Sequence, residues 1–283
     1  MSYKIIIHDG KAHMDELLGC ALLALHLQEE PESIERINPQ DAALLVKENK
    51  VPNDTYVIDC GLVFDSSRKL FDHHHDKDCP CSALLIFNEF YPDLKDSELH
   101  SYMELVSKVD TRGPMSLEDF GIATETKDYF SFSQEILLRS FEENPMNILK
   151  IFIAGLNDKI KFLKAKEEAA KWFKSEGNIE ITSVEEINIL RYLQVPPSEL
   201  VSPLRSVSGK IVDDNNIAAT FSFDDKNPEA RTLYRTDTGH ELLDFSKCSP
   251  SNTIFNHPSG FLMKFVPEHD EEWIDLLKTA RIK

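Results

Sequence analysis

Three short apolar runs, each closing on a histidine or an aspartate, constrain this chain more than any other feature. They read Tyr-Lys-Ile-Ile-Ile-His at 3–8, Thr-Tyr-Val-Ile-Asp-Cys at 55–60 and Lys-Leu-Phe-Asp at 69–72. Each is strand-sized and flanked by turn-forming or polar residues, the pattern of a buried strand. A further strand is expected at Ser33–Asn38. Between these runs lie helical patterns: Asp15–Leu25, apolar on most faces with acids in its first turn, and Gln40–Glu48. Strands alternating with helices predict an α/β fold, an open and mainly parallel sheet with helices on both faces. Such sheets gather ligand groups at the carboxyl ends of their strands. His8, Asp59 and Asp72 all fall there, on a common rim.

A helix is expected from about Ser82 to Phe90. From Leu99 to Phe173 the pattern is mostly helical, with segments at Tyr102–Val109, Phe132–Phe141 and Met146–Trp172, and Gly177 reads as the stop. Strand-like segments follow at Ile179–Thr182, Glu186–Tyr192, Asn216–Phe223, Ala230–Tyr234 and Ser251–Phe255, then a terminal helix over Glu271–Ala280. The switch near 176–185 divides the expected organisation into residues 1–175 and a smaller α+β domain over 176–283. Asp213-Asp214-Asn215-Asn216 and Asp224-Asp225-Lys226-Asn227-Pro228 read as hairpin turns. Neither has the closing Glu of a calcium loop.

Forty-nine acidic residues against thirty-one basic ones give a net charge of -18. That field repels long polyanions, so a broad grip on duplex nucleic acid is not expected. A small phosphate substrate is compatible with it, because bound divalent cations invert the local sign. No stretch approaches the roughly 18 apolar residues of a membrane span, and Ile5-Ile6-Ile7 is too short for a signal segment. Five cysteines, an odd number in a long chain, point to reduced thiols and a cytoplasmic location. Cys79-Pro80-Cys81 has neither zinc-pair spacing nor a second pair.

Four places carry metal-ligand chemistry. His8, His13 and Asp15 lie in His-Asp-Gly-Lys-Ala-His-Met-Asp-Glu, where Gly10 permits a tight turn that lets the three converge; the same residues also suit a polar strand-to-helix loop. Glu16 is read as complementing the positive end of the helix. Asp59 closes a buried strand, where an unpaired carboxylate is expensive and a cation is one efficient partner. Asp72-His73-His74-His75-Asp76 follows another apolar run; a solvated turn is the alternative there. Asp110 sits at a helix end, a poor match for the dipole, with Lys108 or Arg112 as alternative partners. Together Asp15, Asp59, His73 and Asp110 offer oxygen and imidazole without thiolate, which favours manganese or magnesium over zinc.

These motifs, in this order, resemble the DHH phosphoesterase superfamily. The spacing from His8 through His13-x-Asp15-Glu16 is closest to its MYG1-like branch. Val-Ile-Asp59-Cys-Gly resembles the second motif, Asp72-His73-His74 the signature, Asp110 the fourth motif, and Cys81-Ser82-Ala83 the helix entry that follows. Thr232–Thr236, Leu243–Ser246 and His257-Pro-Ser-Gly-Phe look like a degenerate substrate-binding domain. The superfamily's glycine triplet is here Ile254-Phe255-Asn256, and the paired glycines of the MYG1-like proteins are replaced around Met263-Lys264. The resemblance implies a DHH-type domain with two Mn2+ ions, Mg2+ being the alternative. One ion would lie on His8, His13 and Asp59, the second on Asp15, Asp59, His73 and Asp110. It also implies a hydroxide between them that attacks phosphorus in line. His74 would face the substrate, Asp72 would orient it, and His75 and Asp76 would flank. Arg235, His257 and Lys264, with Arg205 behind them, are the basic residues expected to contact substrate; each is also compatible with an ordinary surface position. The expected activity is that of a metal-dependent phosphodiesterase or 3'-5' exonuclease on short single-stranded RNA or oligonucleotides. The alternatives are hydrolysis of pyrophosphate, polyphosphate or a dinucleotide, cyclic or linear, and a metal-bearing protein without turnover. A homo-oligomer is compatible with all of these.

Overall fold

The structure, a computed structural model, describes residues 2–113, 121, 122 and 124–282, with the side chains of 124–131 outside that set. The chain divides into two compact units, Met1–Ile160 and Lys161–Lys283. The division falls inside a long helix, upstream of the composition switch at 176–185.

The first unit is built on β1 (Lys4–His8), α1 (Met14–Leu27), β2 (Ser33–Ile37), α2 (Pro39–Lys47), β3 (Thr55–Ile58), β4 (Phe64–Asp65), β5 (Leu70–Phe71), α3 (Ser82–Phe90), α4 (Glu98–Arg112), α5 (Thr124–Glu143) and the start of α6 (Pro145–Lys174). The sheet order is β2-β1-β3-β5-β4. β1 pairs in parallel with β2 on one side and β3 on the other, β3 pairs in parallel with β5, and two-residue β4 closes the edge antiparallel. The period-2 pattern of the strands sorts their side chains by face. Ile6, Val57 and Leu70 pack with Ala42 and Val46 of α2. Ile5, Ile7, Ile58 and Phe71 alternate with them and are fully buried. On that second face α1 comes close: a β-carbon on Gly19 would stand 3.1 Å from Ile58 and 3.3 Å from Ile86 of α3. The mainly parallel sheet flanked by helices is thus realised. Asn38 caps α2 by accepting from the Gln40 N–H, with Pro39 at the first helical position.

The second unit contains the end of α6, then β6 (Ile179–Val184), β7 (Ile187–Tyr192), α7 (Val201–Asp214), β8 (Ile217–Phe223), β9 (Arg231–Arg235), β10 (Thr253–Asn256), β11 (Leu262–Phe265) and α8 (Glu272–Ala280). Its sheet runs β10-β11-β9-β8-β7-β6 and is antiparallel except for β7 against β8. That parallel pair overturns the hairpin reading of 213–216. A parallel neighbour needs a crossover, and α7 supplies it, so those residues end a helix. α7 escaped the sequence pattern because Pro203 and Gly209 interrupt it. Pro203 lies in the first turn, where its missing N–H costs nothing. Leu204 is buried against Leu190, Ile217 and Phe173, with Val207 and Ile211 packed alongside. By contrast 224–228 does turn an antiparallel pair, Asp224 accepting from the Lys226 and Asn227 N–H groups. On the other face Trp273 of α8 stacks on Phe221 with ring centroids 5.4 Å apart, among Phe245, Met263 and Phe265. Among the described residues no helix is long and apolar enough to cross a membrane.

Candidate metal centre

The connection from β1 leads through α1 to β2, and the return from β2 leads through α2 to β3 on the other side of β1. The crevice above the carboxyl ends of β1 and β3, where connections diverge, is where open α/β sheets bind ligands. His8 is the last residue of β1, Asp59 follows β3 and Asp72 follows β5. The chain after β3 reverses through left-handed backbone, with φ of 57° at Asp59, 107° at Gly61 and 60° at Leu62. Aspartate is among the few side-chain-bearing residues that visit this region readily. Gly61 is needed there: a β-carbon would stand 2.9 Å from Val46.

The turn leaves the two oxygens of Asp59 facing different histidines. Oδ1 is 3.2 Å from His73 Nε2 and Oδ2 is 3.4 Å from His8 Nε2. His73 Nε2 also lies 3.1 Å from Asp110 Oδ2 and 4.0 Å from Asp15 Oδ2. The other oxygen of Asp110 is 3.6 Å from His13 Nδ1. Ligand atoms of His8, His13 and Asp59 lie within 4.8 Å of one another, as do those of Asp15, Asp59, His73 and Asp110, and those of Asp59, Asp72, His73 and His74. Asp59 belongs to all three groups. Asp110, in the last turn of α4, turns to the two histidines.

Asp15 is completely buried at the start of α1. Its carboxylate accepts from the Ser82 N–H at 3.0 Å and the Ala83 N–H at 2.5 Å, so it seats the N-terminus of α3, whose partial positive charge suits it. The Ser82 hydroxyl donates to Asp59 Oδ1 at 3.4 Å. Burial, then the charges of Asp59 and Asp110, push the Asp15 carboxyl well above the usual range. Asp72, also buried, is engaged otherwise. It accepts from the Leu62 N–H at 2.6 Å and the His74 N–H at 3.0 Å, and its Oδ1 lies 2.7 Å from His74 Nδ1. Burial raises its carboxyl, but these bonds outweigh burial and hold it low. His75 Nδ1 meets the Asp72 carbonyl at 3.0 Å, which makes it part of the turn.

The donor set fits divalent cations. Three carboxylates converge within a buried crevice, and His73 Nε2 completes a directed hydrogen bond with none of them, although two of their oxygens are near. Burial lowers the pKa of His8, yet Asp59 and Glu16 overcome it and hold it at about 11. His73 is likewise lowered by burial and carried to about 10 by Asp110 and Asp59. In the metal-free protein, protons on these imidazoles thus supply the positive charge a cation would bring. Asp59 is held below the ordinary carboxylate range: burial opposes this, and His73 and His8 prevail. Cys81 is buried, and burial followed by the nearby charge of Asp15 pushes its thiol up, a packing role in place of a zinc pair.

Two residues of this region were not assigned to the site from the sequence. Glu16, read as a helix-end charge, is fully buried with Oε2 2.8 Å from His8 Nε2. Arg36 of β2 donates to Glu16 Oε1 at 3.0 Å and to the Gly10 carbonyl at 3.1 Å. Nothing in the local pattern marks Arg36, since the contact spans 20 residues.

Of the basic residues expected at the substrate, Arg235, His257 and Lys264 have partners within the second unit. Arg235 donates to the Leu243 and Ser259 carbonyls at 2.7 and 3.4 Å. His257 accepts from the Ser259 N–H at 3.1 Å and lies against Phe261, the rings tilted by 39° with centroids 4.1 Å apart. Lys264 is ion-paired with Asp224, and Arg205 is exposed on α7.

Compared with known proteins, residues 4–90, from β1 to the end of α3, match the family model MYG1 exonuclease, described as an uncharacterised protein family (UPF0160). No curated protein matches the chain. Among solved structures, RecJ in complex with Mn2+ from Thermus thermophilus is similar at 13% identity and a TM-score of 0.30, with 97% of this chain and 51% of that one covered. The chain therefore spans about half the length of that protein.

Proposed function

We propose, from the match of residues 4–90 to the MYG1 exonuclease family model, that the chain is a divalent-metal-dependent phosphoesterase. The observation that carries the reading is the division of the Asp59 carboxylate, Oδ2 toward His8 and Oδ1 toward His73. A carboxylate so placed would be able to serve two cations at once. His8, His13 and Asp59 would hold one, and Asp15, Asp59, His73 and Asp110 the other. When bound, such a pair supplies an activated water and neutralises charge on a phosphoryl group.

The chain's own residues do the rest. Asp15 ties its ligand position to the seat of α3, so α1 and α3 are joined into one support. Asp72 holds Nδ1 of His74, leaving Nε2 of that half-exposed ring for a substrate. Asp72 also raises the His74 pKa, burial opposing. With Nδ1 held by Asp72, the ring presents Nε2 as the atom that would meet a phosphate oxygen.

Within this reading the substrate is a phosphodiester of a short single strand, RNA first, cut from the 3' end with Mn2+, Mg2+ being the alternative. The family's name and the net charge of -18, which disfavours long polyanions, support it. Arg235 and His257 are proposed to contact substrate. Lys264 adds little net charge because Asp224 neutralises it. A cytoplasmic location belongs to the same reading, on the odd count of five cysteines. The test is a manganese-supplemented assay on short RNA, short DNA, a dinucleotide and pyrophosphate, resolving products by length and end chemistry. Metal-dependent release of mononucleotides supports the reading. Turnover of pyrophosphate alone would move the assignment to another phosphate compound, and no turnover would refute it.

A further inference from the structure

Glu16 has no part in the two ligand sets, yet it touches the first of them twice. Its Oε2 faces His8 Nε2 at 2.8 Å, and its Oε1 accepts from the His13 N–H at 3.4 Å. The carboxylate is fully buried, and Oε2 has no directed hydrogen-bond partner. A buried charge in that state is costly unless something nearby repays it. Arg36 accounts for only one of the two oxygens. Its guanidinium donates to Glu16 Oε1 at 3.0 Å and to the Gly10 carbonyl at 3.1 Å, and lies over the Phe141 ring. One side chain thus ties β2 to the acid and to the loop that carries His8, His13 and Asp15. From the α5 side, Glu142 accepts from the Ala12 N–H at 2.6 Å in the same loop. The remaining nitrogen of His8, Nδ1, meets the Asp9 carbonyl at 2.6 Å, so Nε2 is the one left for a ligand role.

The first set is also poor in charge. Two imidazoles and a shared carboxylate hold it, whereas the second has three carboxylates. We propose that Glu16, locked by Arg36, is a positioning residue for the first cation: it fixes the His13 backbone, and it adds beside His8 Nε2 the negative charge that site lacks. This rests on the two-cation reading. Residues that orient metal-bound histidines typically change affinity about 10–100-fold when removed.

The experiment is calorimetric titration of Mn2+ into the metal-free full chain. The wild-type protein is expected to take two ions. Glu16→Gln, which preserves volume and an acceptor for Arg36, is expected to weaken one of the two bindings by about 10–100-fold and leave the other unchanged. Arg36→Lys keeps a cation but replaces the two-nitrogen fork that spans Glu16 and Gly10 with a single nitrogen, and weakening of the same step is expected. If Glu16→Gln does not fold, as judged by thermal melting, Arg36→Lys carries the test alone. Isotherms that superimpose on the wild type while melting temperatures fall would reduce Glu16 to a helix cap and overturn the inference. A wild-type protein that takes fewer than two ions would overturn the reading beneath it, a distinguishable failure.

Discussion

Asp59→Asn separates what the shared carboxylate does for the fold from what it does for cations. In the metal-free protein Asp59 is attracted by two protonated histidines at 3.2 and 3.4 Å, each interaction about 5 kcal/mol at an effective dielectric near 20. It is also repelled by Asp15 and Asp110, whose ligand atoms lie within 4.8 Å, each by at least about 3 kcal/mol on the same scale. The attractions exceed the repulsions by about 4 kcal/mol, so the metal-free variant should melt below the wild type, and the Mn2+ effect is read for each protein as the shift from its own metal-free melt. With Mn2+ the difference is large. A site saturated at about 100 times its Kd stabilises by about 2.7 kcal/mol, which in a unit of this size raises the melting temperature by about 5–11 °C. If Asp59→Asn weakens binding about 100-fold, the same Mn2+ yields about 0.4 kcal/mol and a shift of about 1 °C. The assay is a thermal melt of both proteins across a Mn2+ series after chelator treatment. Equal Mn2+-induced shifts would refute the shared-carboxylate argument.

Other expectations follow from the same geometry. His8 and His73 carry folded pKa values near 11 and 10, above the ordinary value near 6.5; their contribution to metal-free stability is complete below that value and is lost as pH rises toward 10–11. Denaturant unfolding of the metal-free protein should therefore show falling stability from pH 7 to 10, and a rise would contradict it. By the same protons, Mn2+ uptake at pH 7.5 should release protons, read from the dependence of the calorimetric heat on buffer ionisation; a heat independent of buffer would contradict it. Asp72→Ala removes the acceptor of two backbone N–H groups and of His74 and should cost about 2–4 kcal/mol in urea unfolding. Gly61→Ala places a β-carbon 2.9 Å from Val46 at φ 107° and should cost about 1–3 kcal/mol; a change under about 0.5 kcal/mol would show that α2 yields freely.

The parts of the fold legible in the sequence were those encoded locally. The runs ending at His8, Ile58 and Phe71 announce strands by composition, and their polar ends mark the rim because side chains at strand termini share one edge of a parallel sheet. What escaped was set by tertiary context. α7 carries Pro203 and Gly209, and its helical state depends on burying Leu204 against Leu190 and Ile217. β4 and β11 are two and four residues long and mix polar with apolar residues over too short a span to stand out. The equally short β3 and β5 are carried by continuous apolar runs. The turn-like string 213–216 has the composition of a hairpin, but the parallel pairing of β7 with β8 gives it another use. Glu16 looked like a helix-end acid because its partners, His8 and Arg36, meet it only when β1, β2 and α1 assemble. Lys264 looked like a free cation for the same reason, since Asp224 lies forty residues away.

Anomalous diffraction from crystals of the full chain soaked in Mn2+ addresses the central claim most directly. Two peaks are predicted in the crevice above β1 and β3, about 3.5–4 Å apart, with one Asp59 oxygen on each. A single peak, or two peaks that leave Asp59 without a cation, would contradict the account.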